Sequence, residues 1–179
     1  IDPLDTGGYF IVNGNERVMV MTEDLAENQA FIEKGKTTGS MLRLFSKKGS
    51  YRIPVKITET NDGIIEISFS RFKNIPAIVL LKALGMTKES EISRLVGKET
   101  DNFIVNLYEY AGIQSQDDAI MSIAEKGSME GTKKEIVDRV KQRIDSYFLP
   151  HIGIGKEARH DKIVTLCKLI KQFLVAKEN

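Results

Sequence analysis

A single cysteine, Cys167, leaves the chain no internal disulfide and no cysteine cluster that would hold a structural metal. Histidine is nearly as scarce. His151 and His160 with Cys167 fall one ligand short of a tetrahedral zinc site, and their basic surroundings oppose a cation, so loop and core roles are expected for all three. No apolar run approaches the roughly 20 residues of a membrane span. The first residues also lack the basic-then-apolar pattern of a secretory signal, so a cytosolic location is expected. The chain opens on Ile1 rather than Met, which points to a trimmed boundary. Net charge is only +1, which excludes a histone-like polycation while leaving room for a local basic surface that meets phosphate.

Catalytic motifs are equally thin. Gly153-Ile154-Gly155-Lys156 resembles a scrap of a phosphate loop, but it lacks the four-residue gap between glycines and the Ser/Thr that would hold magnesium. Asp117 and Asp118 are adjacent, and neighbours on a helix diverge by about 100°, so they complement a helix N-terminus better than they form an acid pair. No serine, cysteine or lysine has a recognisable activating partner. No cofactor and no metal are expected.

What is present fits one globular domain: 179 residues, 41% hydrophobic and 28% charged, enough to bury a real core. The apolar stretches 9–12 and 18–21 flank Asn13-Gly14-Asn15, whose residues tolerate positive φ, and predict a β-hairpin. Its tip, extended by Glu16 and Arg17, is polar, so its arms must be buried against something else. After it, the alternation through Gln29, Phe31 and Glu33 predicts a strand ending at Lys34-Gly35. Strands at 40–46, 51–58 and 64–70 follow, separated by Lys48-Gly49-Ser50 and Asn61-Asp62-Gly63, which makes an antiparallel meander. In its middle strand Tyr51, Ile53, Val55 and Ile57 share one face, with Arg52, Lys56 and Thr58 on the other.

At Ile75-Pro76 the period changes to helical. Pro76 suits a first turn, and Ile78, Val79, Leu81 and Leu84 are too apolar all round for a surface helix, so this segment should be the buried centre, ended by Gly85. Helices are expected at 88–96, at 102–111 with Asp101 as cap, and from a Ser115 cap to Gly127. Two more close the chain. In 132–148 the stripe Ile136, Val140, Ile144 and Phe148 leaves Lys134, Arg139, Lys141 and Arg143 on the remaining surface, and Pro150 interrupts the helix. In 161–176 the stripe is Ile163, Leu166, Ile170, Phe173 and Leu174, with Lys162, Lys168 and Lys171 pointing elsewhere. The fold class is therefore α+β: a hairpin and meander followed by a helical subdomain of about six helices. Charge is unevenly shared. Residues 1–132 hold 15 basic and 19 acidic residues, a net −4, whereas 133–179 hold 11 and 6, a net +5, so the basic surface is C-terminal. Arg139 and Arg143, at i and i+4, form the pair able to approach one phosphate path.

DPLDTGGYFIVNGNERVMV (2–20), IPAIVLLKALGM (75–86), YFLPHIG (147–153) and the closing helical run occur here in order. Together they resemble the early part of the second-largest subunit of archaeal and eukaryotic multisubunit RNA polymerases. The run 162–174 matches by apolar spacing more than by residue identity. The resemblance implies a protrusion-derived hairpin at 1–25 and the lobe domain at 26–179. It also implies a non-catalytic part of a nucleotidyltransferase, since that family's magnesium-binding aspartates lie in the largest subunit. Its implied place is a wall of the downstream DNA cleft with an outer surface for transcription factors. Implied partners are other polymerase subunits, downstream duplex DNA and those factors, with no membrane, in a cytoplasmic and nucleoid-associated setting. Arg139, Arg143, Lys141 and Lys134 are the candidate contacts. The competing reading is a stand-alone protein-interaction module whose basic helices bind an acidic protein. An enzyme acting on a small phosphorylated substrate stands third.

Overall fold

Asn13 and Gly14 both adopt positive φ, 53° and 76°, the conformation of a two-residue turn whose twist matches that of paired strands. In the computed structural model, which describes residues 7–35, 39–97, 100–127 and 129–178, they join β1 (Tyr9–Val12) to β2 (Asn15–Val18). The turn is tighter than the sequence predicts. Asn15 already pairs with Val12, Glu16 with Ile11 and Arg17 with Phe10, so Glu16 and Arg17 belong to a strand and not to the tip. The arms are not covered by the rest of the chain: Phe10, Ile11 and Val18 are 55%, 72% and 69% exposed.

The meander is β3 (Ala30–Gly35), β4 (Gly39–Lys48), β5 (Tyr51–Glu59), β6 (Ile65–Phe69) and β7 (Phe72–Pro76), antiparallel and in sequence order, which leaves β3 and β7 as edges. The seventh strand was not foreseen, because Ser70-Arg71 reverses the chain without glycine. Ser70 itself takes a positive φ of 51°, and Phe69 pairs directly with Phe72. Pro76, predicted inside a helix, is instead the last residue of β7 and the cap of α1 (Ala77–Leu84); its missing N–H is harmless in both roles. One sheet face is apolar and buried, with Leu42, Leu44, Ile53, Val55, Ile57, Ile65, Ile67 and Phe69 in the core. The other carries Arg43, Lys56 and Ser68 side by side in register.

The apolar face is covered by helices. All eight residues of α1 are buried, as its apolar circumference requires, including Lys82. Its ammonium is kept hydrogen-bonded by the carbonyls of Tyr110 and Ile113, each at 2.8 Å, with Glu89 at 3.5 Å. Around it lie α2 (Glu89–Val96), α3 (Thr100–Glu109), α4 (Gln116–Lys126), α5 (Lys133–Tyr147) and α6 (Arg159–Glu178), the last preceded by a 3-10 turn at Lys156–Ala158. α3 begins at Thr100, so Asp101 lies inside the helix rather than capping it. The Ser115 cap is real: its hydroxyl accepts from the Asp118 N–H at 3.1 Å. From α3, Asn106 reaches the sheet, accepting from the Ile65 N–H at 2.7 Å and donating to the Gly63 carbonyl at 2.9 Å.

Lys162 departs most from expectation. Predicted on a solvent-facing flank, it is fully buried, and its ammonium donates to the carbonyls of Asp145, at 2.6 Å, and Ile144, at 3.4 Å. Those are carbonyls in the last turn of α5, which need donors and favour positive charge. Burial nevertheless pulls the Lys162 pKa down to about 8.

Candidate nucleic-acid interface on helix α5

The Thr132 N–H donates to Glu135 Oε2 at 3.1 Å, the returning half of a capping box, and this fixes where α5 starts. With the start fixed, Ile136, Val137, Val140 and Ile144 turn into the core, and Arg139 and Arg143 fall together on one outer flank. A third guanidinium joins them. Arg71, on the turn between β6 and β7, lines the same hollow of about 380 Å³ as Arg139 and Arg143, together with Phe72, Met129 and Glu130. Two adjoining hollows of about 310 Å³ each continue it, one with Arg143, Gln142, Ser146 and Tyr147, the other with Ser70, Arg71, Arg143 and Tyr147. Arg143 lines all three hollows.

None of these three arginines forms an ion pair among the described residues. Arg139 Nη1 donates weakly to the Glu130 carbonyl at 3.5 Å. The other two sequence candidates lie apart. Lys141 is half-buried and held by Asp117 of α4 at 3.1 Å, and Lys134 stands exposed in the first turn of α5, lining none of the three hollows. Arg71 was missed because the strand that follows it, and so the turn between, was missed. Ser70-Arg71 between two apolar runs, read as a two-residue hairpin connection, was the signal that would have found it.

The other groups weighed from sequence take structural places. The His151 ring nitrogen Nδ1 lies 2.6 Å from the Ser46 hydroxyl, and the same hydroxyl accepts from the His151 N–H at 3.3 Å, which ties the loop after α5 to the sheet. Burial and then the nearby Lys162 charge lower the His151 pKa. Cys167 is buried, which pushes its thiol up to about 11. Among the described residues no three His, Cys, Asp or Glu side chains are grouped to hold a metal ion. Gly153 has a packing reason, since a Cβ there would lie 2.4 Å from that of Ala158. No described helix is long and apolar enough to cross a membrane.

The family model for RNA polymerase Rpb2, domain 2, matches residues 17–179, nearly the whole of the sheet and helices just described. The chain belongs to this family. Among curated relatives, the DNA-directed RNA polymerase subunit Rpo2 of Saccharolobus solfataricus is 34% identical over an alignment that covers 99% of this chain and 17% of the relative. Subunit Rpo2N of Halobacterium salinarum is 33% identical, with 94% of this chain and 34% of the relative covered. Subunit Rpo2N of Methanococcus vannielii is 31% identical, with 97% and 37% covered. The chain thus spans between about a sixth and a little over a third of these relatives' lengths. The resemblance seen in the three sequence runs is therefore to the right family, and the lobe of the second-largest polymerase subunit is the part it corresponds to.

Proposed function

We propose that this domain works as the non-catalytic lobe of a DNA-directed RNA polymerase of archaeal type, lining the downstream DNA cleft and offering an outer surface to transcription factors. The observation that carries the DNA half of this reading is the hollow shared by Arg71, Arg139 and Arg143. Guanidinium groups without ion-pair partners among the described residues, on a helix flank and an adjacent turn, are placed to meet phosphate oxygens without reading bases. Other polymerase subunits are the remaining partners, and a cytoplasmic, nucleoid-associated setting follows from the same reading. The boundary proposed between protrusion-derived hairpin and lobe falls at residue 25, since among the described residues the hairpin's two strands pair only with each other.

A salt titration tests it. The domain should bind duplex DNA without sequence preference, at or weaker than about 10⁻⁴ to 10⁻⁶ M, with a log-log salt slope near −0.9 per phosphate contact. Arg139→Glu with Arg143→Glu should lower affinity and flatten that slope without changing the circular dichroism spectrum. Unchanged affinity and slope in the folded double variant would remove this face from DNA contact. Preferential binding of an acidic peptide by the same face would instead support the protein-interaction reading.

A further inference from the structure

A second surface shares no lining residue with the arginine hollows. Between β3 and α6 runs an open groove of about 1330 Å³, larger than the roughly 300–1,000 Å³ of a small-molecule site and suited to a length of polypeptide. Its sheet wall is formed by Ala30, Ile32 and Lys34, alternate residues of β3 that lie on the core side of the sheet, as their pairing with Leu44, Leu42 and Ser40 requires. Leu169 and Thr165 of α6 help form the opposite wall. β3 is an edge strand, so one row of its backbone groups has no strand partner among the described residues. A further strand laid beside it would sit about 4.8 Å out and point every second side chain into this groove.

Charge narrows the occupant. Lys34, Lys168 and Lys171 line the groove and no Asp or Glu does. Lys34 and Lys168 are exposed and form no ion pair among the described residues. A strand partner rich in basic residues would be repelled. Nucleic acid fits poorly, because the walls are largely aliphatic and carry no aromatic stacking platform apart from the His151 ring at one end.

We propose that this groove receives an extended acidic segment of a protein partner, which adds to the open edge of β3, sets apolar side chains against Ile32 and Leu169, and places carboxylates near Lys34 and Lys168. This is strand addition, in which backbone hydrogen bonds supply affinity and alternate side-chain contacts supply selectivity. The inference is independent of the DNA reading. It goes beyond the general statement of a factor surface by naming the place, the conformation and the charge of what binds.

The test uses the 179-residue chain and a labelled short peptide of alternating Val and Thr flanked by Glu pairs, with a matched peptide carrying Lys in place of Glu. In fluorescence anisotropy the Glu peptide should bind at least about tenfold more tightly, with the gap shrinking as salt is added. Amide exchange in β3 should slow on binding. Ile32→Asp, at a side chain already 37% exposed, should weaken the Glu peptide at least about tenfold at an unchanged melting temperature. If that variant misfolds, Lys168→Glu on the exposed helix face should abolish the preference between peptides. Equal binding of both peptides, no saturable binding of either, unchanged β3 exchange, or displacement by duplex DNA would each overturn the proposal.

Discussion

Two clusters of positive charge meet α5 and have opposite fates. Near its C-terminal end, Arg159 grips Asp145 through two hydrogen bonds of 2.7 and 2.6 Å, and Lys162 is sealed beneath them on backbone carbonyls. Along its outer flank, Arg139 and Arg143 join Arg71, and none of the three forms an ion pair among the described residues. The first cluster closes the fold; the second lines the hollows on the outer flank. Charge that is buried must be matched internally, because removing it from water costs several kcal/mol. Charge left unmatched is tolerable only where solvent or a partner answers it.

The largest effect should come from breaking the buried cluster. Asp145→Ala leaves the Arg159 guanidinium without its carboxylate and should destabilise the domain by about 3–5 kcal/mol in chemical denaturation, with Asp145→Asn milder. A loss within error of zero would mean that solvent reaches the site freely.

A smaller effect is written in pH. Burial depresses the Lys162 pKa to about 8, against 10.5 for an unhindered lysine, while Asp145 partly opposes this and Arg159 and Lys48 add to it. Between those values the unfolded chain holds more protons at this position than the folded one, so stability should rise with pH from about 8 towards 9, by at most about 1.4 kcal/mol per unit. Lys162→Met should flatten that rise. Cys167 works in the opposite sense above about pH 9, and Tyr110 above pH 10, because burial raises the pKa of the thiol and of the phenol, so the comparison is best confined below pH 9. A wild-type slope equal to that of the Met variant would mean that Lys162 is hydrated.

The open cluster should behave differently. Arg71→Ala should lower duplex affinity by an amount similar to Arg139→Ala and reduce the salt slope by about one contact's worth, with stability changing by less than about 0.5 kcal/mol. If Arg71→Ala changes nothing while Arg139→Ala does, the turn is not part of the contact surface. Least affected should be Lys141→Ala. Its ammonium is engaged by Asp117 at 3.1 Å on another flank, so DNA affinity and slope should stay within error of the parent. A drop like that of Arg139→Ala would extend the surface across the helix.

Much of this architecture is legible one residue at a time. Asn13-Gly14, the period-two pattern of β5, the capping by Ser115 and the apolar circumference of α1 are local signals, each acting within a few residues of chain. The signal for strand β7 was weaker, since Ser70-Arg71 turns without glycine and Pro76 reads equally as strand end or helix start. The family resemblance was carried by three quoted runs and the closing helical run, and needed no geometry.

Local periodicity fixed the strands other than β7, the helices and the pairing of Arg139 with Arg143 on one flank of α5, because strands repeat every 2 residues and helices every 3.6 whatever surrounds them. It could not tell which lysines meet water. Lys162 and Lys168 look alike along α6, yet one satisfies carbonyls of α5 and is buried while the other edges an open groove. Nor could it bring Arg71 to Arg143, 72 positions apart in sequence. Those outcomes belong to the packing of one element against another, where burial, distance and the supply of partners are set by residues far away in the chain.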